Sequence, residues 1–211
     1  MPLSPMTVNH VQQATGPNAE DVAYPVLTTR RFRFRPFVLA DISQMVSIAG
    51  RHRIADTTIG VPHPYTPEFA RLWILTHTTE WAQHRALHWA VVVLGGERVV
   101  GYAGLLKIDR ERAQAQLSYW VGDGVERSTD AAEWSAAIVE YALRDLKLKR
   151  IYSLQLARHP VAGRVLAAIG MQREGLVRKR LYKEGLLEDV VCWAISNSSA
   201  SSPSALNASA T

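Results

Sequence analysis

The stretch LSYWVGDGVERSTDAAEWSAAIVEYALRDL, residues 117–146, decides how this chain is read, because its hydrophobic period changes half-way along. Into this stretch Ala113, Ala115, Leu117, Tyr119 and Val121 alternate with Gln114, Gln116, Ser118 and Trp120. A period of two predicts a strand with one apolar and one partly polar face. Gly122 and Gly124 mark a tight turn, after which Trp134, Ile138, Tyr141 and Ala142 share one helical stripe that Val139, Leu143 and Leu146 widen. A strand that runs straight into a helix start aims several unpaired amides and the positive end of the helix dipole at one spot. Such a spot suits a phosphate.

Outward from this centre, RFRFRPF at residues 31–37 alternates strictly, which predicts a first strand with Phe32 and Phe34 inward and the arginines outward. Asp41 is the expected cap of a short helix reaching about Ala49, and Thr66-Pro-Glu starts a second helix through Trp73, Ile74 and Trp81. Residues 88–94 and 99–108 read as strands joined at Gly95-Gly96. After the central helix come a strand at 150–156 and a helix from Pro160 to a stop at Gly170. An antiparallel pair at 173–182 and 188–195, joined by Lys183-Glu-Gly185, follows. The order predicts a mixed α/β fold, a central mixed sheet of about seven strands flanked by about four helices, in one domain at 27–195. The aperiodic residues 1–26 and the Ser/Ala-rich residues 196–211 are expected to be disordered tails.

A composition of 47% hydrophobic and 20% charged residues is that of an ordinary soluble domain. No apolar run reaches a membrane span, no signal-peptide layout opens the chain, and the single Cys192 excludes an internal disulfide, so a cytoplasmic location is expected. Lys and Arg (24) exceed Asp and Glu (19) by five, largely through Arg30, Arg31, Arg33, Arg35, Arg178, Lys179, Arg180 and Lys183. A basic surface attracts anions. Nucleic acid is one such anion, but neither interleaved exposed aromatics nor a recognition helix accompanies these residues, and a phosphorylated cofactor is the simpler explanation. The pairs His84/His88 and His77/His84 lack a carboxylate or thiol at ligand spacing, so no metal site is expected.

Several short motifs recur in order: Leu27-Thr-Thr-Arg-Arg-Phe-Arg-Phe-Arg-Pro-Phe37, Pro64-Tyr-Thr-Pro-Glu-Phe-Ala70 with Trp73-Ile74, Tyr119-Trp-Val-Gly122 and Arg173-Glu-Gly175. With Lys183-Glu-Gly185 and Asp189-Val-Val191, this order resembles the GNAT acyltransferase superfamily, specifically its ribosomal-protein N-terminal acetyltransferase branch, across residues 27–195. The resemblance implies that acetyl-CoA is the co-substrate and lies between two splayed central strands. The main chain of Tyr119, Trp120 and Val121 would then meet its acetyl and pantetheine portion. Its pyrophosphate would rest on the loop at 126–131, where the family pattern Arg/Gln-x-x-Gly-x-Gly/Ala is replaced by Glu126-Arg-Ser-Thr-Asp-Ala131. Arg127, Ser128, Thr129, Asp130 and Ala131 are therefore expected cofactor contacts, with side chains doing what glycine backbone does in relatives. A left-handed Thr129 would cost about 1–2 kcal/mol, and Glu126 and Asp130 would repel the anion. The alternative is that Thr129 or Asp130 caps the helix and Glu133 completes a capping box.

Gln116 stands where relatives carry Glu and cannot accept a proton, and Ala162 closes a motif that relatives end with Ser. Gln116 and Ser118 are the candidate catalytic residues, His159 is a candidate thiolate donor or pantetheine contact, and Tyr182 a candidate border of the acceptor pocket. The resemblance implies an N-acetyltransferase acting by direct attack of a primary amine, either a protein N-terminus or a small molecule, and a homodimer. A catalytically silent relative that binds a ligand or protein in the same cleft is the alternative, and a nucleic-acid-binding protein a third. The transferase reading requires a wedge beside the fourth strand.

Overall fold

The computed structural model describes residues 23–122 and 128–197. The elements in chain order are β1 (Leu27–Thr28), β2 (Phe32–Pro36), a 3-10 turn (Leu39–Asp41), α1 (Ile42–Ala49), α2 (His52–Thr57) and α3 (Pro67–Ala82). They continue with β3 (Leu87–Val93), β4 (Val99–Asp109), β5 (Gln114–Val121), α4 (Ser128–Arg144), β6 (Arg150–Leu156), α5 (Pro160–Ala168), β7 (Gln172–Lys183) and β8 (Leu186–Ser196). The strands form one mixed sheet of eight in the order β1-β2-β3-β4-β5-β6-β8-β7. The extra strand is the two-residue β1, too short to show a period, and the extra helix is the six-residue α2.

The sheet carries a core on each face. Trp134 and Ile138 of α4 and Leu166 of α5 close over Phe32, Phe34, Trp89 and Leu117 on one side. On the other, Met45, Ile54 and Ile74 of α1, α2 and α3 meet Ala90, Tyr102 and Trp120. Gly101 lets the fully buried Trp134 indole lie directly on β4, since a Cβ there would stand 2.5 Å from two of its ring carbons.

Thr66 accepts from the Phe69 N–H at 3.2 Å and Pro67 takes the first helical position, so α3 starts as its sequence predicts. Thr66→Ala is expected to cost about 1 kcal/mol by urea denaturation, the usual worth of such a cap. Asp41 behaves differently from expectation. Its carboxylate accepts the Val38 N–H at 2.9 Å and two Arg35 bonds at 2.8 and 2.9 Å, so it closes the 3-10 turn and gives α1 no side-chain cap.

The arginines of β2 are also not simply outward. Arg33 and Arg35 pair with Glu97, and Arg35 keeps only 14% of its side chain exposed. This basic cluster is largely neutralised within the domain. Tyr24 and Pro25 lie inside the expected N-terminal tail, yet the Tyr24 hydroxyl donates to the His88 carbonyl at 2.9 Å and Pro25 O accepts from Trp89 at 2.7 Å. The remaining expected tail residues, 1–22 and 198–211, lie outside the described residues, as do Glu126 and Arg127.

Candidate active site

The strand pairing makes an opening at the centre of the sheet. Among the described residues β5 and β6 are the one parallel pair in the sheet, and their register runs only from Gln114 with Arg150 to Gln116 with Tyr152. Beyond that point β6 continues to pair with β8 through Leu156, while β5 continues to pair with β4 through Val121. The two strands therefore splay, and a cavity of about 560 Å³ occupies the gap, walled by both strands, α2 and α5, with Ala131 of α4 at its edge. This is the wedge the sequence reading requires.

Which main-chain groups face the wedge follows from the ladder. Gly122 N–H donates to Val100 O at 2.8 Å, continuing the β4–β5 register. Antiparallel pairing alternates, so Trp120 and Ser118 exchange their bonds with β4 while Val121, Tyr119 and Leu117 turn theirs toward β6. Ser153 confirms the phase by donating its hydroxyl to Leu117 O at 3.1 Å. Tyr119 and Val121 thus present N–H and C=O groups to the wedge past the last paired residue of β6. Trp120 does not; its main chain belongs to β4, and its buried indole stacks on Tyr102 at 5.7 Å.

Side chains alternate the same way. Gln116 and Ser118 line the cavity, and the Gln116 Oε1 atom is buried with no protein partner among the described residues. Tyr119 is half-buried and its hydroxyl is likewise unpartnered, which keeps the phenol protonated because burial drives its pKa far up.

At the start of α4, Thr129 is exposed and helical, outside the positive-φ residues, so no left-handed conformation is required of it. Asp130 and Glu133 do not form a capping box. The helix already begins at Ser128, which places Asp130 in its first turn. Both carboxylates instead bind Arg31: Glu133 accepts from Nε at 2.9 Å and Nη2 at 2.8 Å, and Asp130 accepts from the same Nη2. The Asp130 charge is thereby countered by a cation that no local sequence signal places there.

His159 precedes α5 but makes no side-chain cap. Its Nε2 lies 3.3 Å from Asp56 at the end of α2, and the adjacent Arg158 joins Asp56 at 2.8 Å and Glu188 at 2.8 Å. These contacts tie α2 to the β6–α5 junction across the cavity, and burial notwithstanding, the neighbouring Arg158 holds the Asp56 carboxyl below the usual range. Arg53 and Arg164, which sequence reasoning did not single out, also line the cavity. Tyr182 does not; it is 71% exposed on β7, near the tip of a hairpin whose Lys183 donates to Thr58 O at 3.1 Å and Val61 O at 3.4 Å. Among the described residues no three His, Cys, Asp or Glu side chains gather as metal ligands, and no helix is long and apolar enough to cross a membrane.

Residues 31–172 match the family described as acetyltransferase (GNAT) domain, about two thirds of the chain. The chain belongs to the GNAT acetyltransferase family. Membership makes it an acyltransferase of the N-acetyltransferase kind. A curated relative, the uncharacterized N-acetyltransferase YoaA of Bacillus subtilis, is 22% identical over 82% of this chain and 97% of its own length. Among solved structures, Mycobacterium smegmatis RimJ with CoA-disulfide superposes with a TM-score of 0.72 at 19% identity, over 80% of this chain and 83% of that one. The ribosomal-protein-S5-alanine acetyltransferase of Vibrio fischeri gives 0.70 at 21%, over 82% and 96%. At these identities the structural likeness establishes the GNAT fold.

Proposed function

We propose that this GNAT protein moves the acetyl group of acetyl-CoA to an α-amine or another amine of low pKa, by direct attack within the β5–β6 wedge. The observation that carries the reading is the splay itself, which leaves the Tyr119 and Val121 main chain facing a cavity of about 560 Å³. A pantetheine arm is an extended chain of amides, and strand edges bind such chains by continuing the ladder. RimJ is a structural neighbour solved with a CoA derivative, which supports the same ligand here.

In this reading the first-turn amides of α4, at Ser128, Thr129, Asp130 and Ala131, take the pyrophosphate together with Arg127. Arg164 adds a cation at the cavity wall, and His159, held by Asp56, lies beside the thiol end. Bound acetyl-CoA supplies the activated acyl group. A strand N–H of Tyr119 or Val121 would donate to the carbonyl oxygen as negative charge grows on it, which is how an oxyanion hole acts. Gln116, unable to take a proton, orients the acceptor through its free amide oxygen, with Ser118 beside it. The acceptor class is a peptide N-terminus or a small-molecule amine, and the protein works in the cytoplasm as a homodimer.

Acetyl-CoA at 1 mM is expected to raise the melting temperature by several degrees, while a generic oligonucleotide leaves it unchanged. Free thiol should then appear with at least one member of a panel of peptides differing in the N-terminal residue. Absence of acetyl-CoA binding overturns the reading, and binding without thiol release reassigns the protein as a silent relative.

A further inference from the structure

Behind Ser118 lies a row of polar side chains that the apolar reading of strands β3 and β4 conceals. His88 on β3, Gly104 on β4 and Ser118 on β5 stand directly opposite one another across the sheet. Tyr102 shares the Gly104 face and lays its ring along the strand over that glycine, so that a Cβ at Gly104 would fall 2.4 Å from the Tyr102 hydroxyl. The missing side chain lets this hydroxyl sit between the two flanking strands. Ser118 stands opposite Gly104 on one side of it, and His88 Nδ1 lies 3.1 Å away on the other. His88 Nε2 then reaches Glu80 Oε2 of α3 at 2.7 Å. Tyr102 and His88 are both 4% exposed, whereas Ser118 lines the cavity and the Glu80 side chain is 31% exposed. The row thus has two accessible ends and a buried middle.

We infer that Ser118, Tyr102, His88 and Glu80 form a proton relay that carries the proton shed by the acceptor amine out of the wedge to the protein surface, an inference that rests on the acetyl-transfer reading. As the C–N bond forms, Ser118 Oγ takes the proton from nitrogen and passes its own to Tyr102 Oη. Tyr102 passes its proton to His88 Nδ1, and His88 releases the Nε2 proton to Glu80, which exchanges it with water. The C–S bond breaks with its electron pair leaving on sulfur, so charge and atoms balance. The relay occupies the functional place left by Gln116.

The surroundings favour hydroxyl-to-ring transfer without stable ions. Burial drives the Tyr102 phenol pKa far up, so Tyr102 passes a proton only as it receives one. Burial first, and His88 second, hold His77 down to about 2, so the ring stacked 4.2 Å from His88 stays uncharged. The hydrogen bond from His88 keeps Glu80 an acceptor by lowering its pKa, with Arg85 acting in the same sense. Tyr24, its own pKa raised by burial, is bonded to the His88 main chain, and Trp73 closes the edge of the ring at 5.2 Å.

The test compares wild type with Ser118→Ala and Tyr102→Phe in thiol release with the preferred peptide from pH 6.5 to 9.5. Each variant should lose about 100-fold in kcat/KM at pH 7, the lower end of what a general base supplies. Acetyl-CoA affinity by calorimetry should change less than two-fold. The loss should shrink below about ten-fold by pH 9.5, where hydroxide replaces the relay as proton acceptor. A loss that stays constant with pH marks a structural effect and overturns the relay, as does unchanged kcat/KM in Ser118→Ala. Independently of turnover, nitrogen NMR of His88 should show the proton on Nε2, and a proton on Nδ1 alone overturns the relay. If wild type binds acetyl-CoA but releases no thiol with any peptide, the transferase reading fails and the relay falls with it.

Discussion

Replacing Arg31 with methionine is expected to cost about 3 kcal/mol of stability, the lower end of the range for removing one partner of a buried charge group. For a domain of this size that lowers the melting temperature by roughly 10 °C. Asp130 and Glu133 keep only 4% and 9% of their side chains exposed, and Arg31 is the cation bound to both. Although burial opposes its charge, the two carboxylates hold the guanidinium more firmly protonated than usual. Removing it strands two negative charges under β2 and the first turns of α4. The figure sits low in the range because Arg31 is itself 37% exposed, so water can reach the carboxylates once it is gone. Arg31→Lys should recover part of the loss, since a point charge restores neutrality but not the forked bonds to Glu133 at 2.8 and 2.9 Å. The methionine variant should also bind acetyl-CoA more weakly, because the helix start proposed to receive the pyrophosphate would carry an uncompensated charge of about −2. Urea denaturation and calorimetry with acetyl-CoA measure the two effects. A stability change below about 1 kcal/mol would show that the carboxylates are adequately solvated without Arg31.

This triad also shows where reading a chain in order stops. Asp130 and Glu133 sit three apart near a helix start, and local rules make them a cap; their actual partner lies about a hundred residues away. Likewise Asp41 reads as a helix cap, but Arg35 draws its carboxylate back toward β2. Elements whose signals are local appear where the sequence puts them: the Thr66-Pro67 start of α3, the strand at Arg150–Leu156, Pro160 opening α5, and Gly170 at φ 88° just beyond its end. The wedge follows from resemblance, while its extent depends on where β5–β6 pairing stops, and no residue in either strand announces that. The row from Ser118 to Glu80 is hidden for a related reason. His88 lies in an apolar run and Tyr102 between two glycines, so neither shows which face it occupies until the register fixes it. The signal that was available is Gly104, a glycine within a strand, which often means that another group approaches the backbone closely.

The acceptor preference follows from the same missing carboxylate. At pH 7 an α-amine of pKa near 7.8 needs about 1 kcal/mol to reach its neutral form, whereas a lysine amine at about 10.4 needs about 4.6. A Glu at position 116 would help take that proton within the wedge; Gln116 cannot, and a relay that discharges at surface-facing Glu80 changes the route of the proton, not the amine's own equilibrium. Holding amine and thioester together supplies about 7–11 kcal/mol, enough for turnover but equal for both acceptors. The difference in deprotonation, about 3.6 kcal/mol, therefore passes into the rate, and α-amine peptides are expected to exceed N-acetylated peptides bearing an internal lysine by about 400-fold in kcat/KM at pH 7. The ratio should contract as pH rises past 8, because the α-amine is then already neutral while the lysine still gains. Gln116→Glu should contract it at constant pH by serving the costlier amine more. An internal lysine that outpaces every α-amine tested at pH 7 would mean that the wedge lowers the lysine pKa by itself, and the link between Gln116 and acceptor choice would be lost.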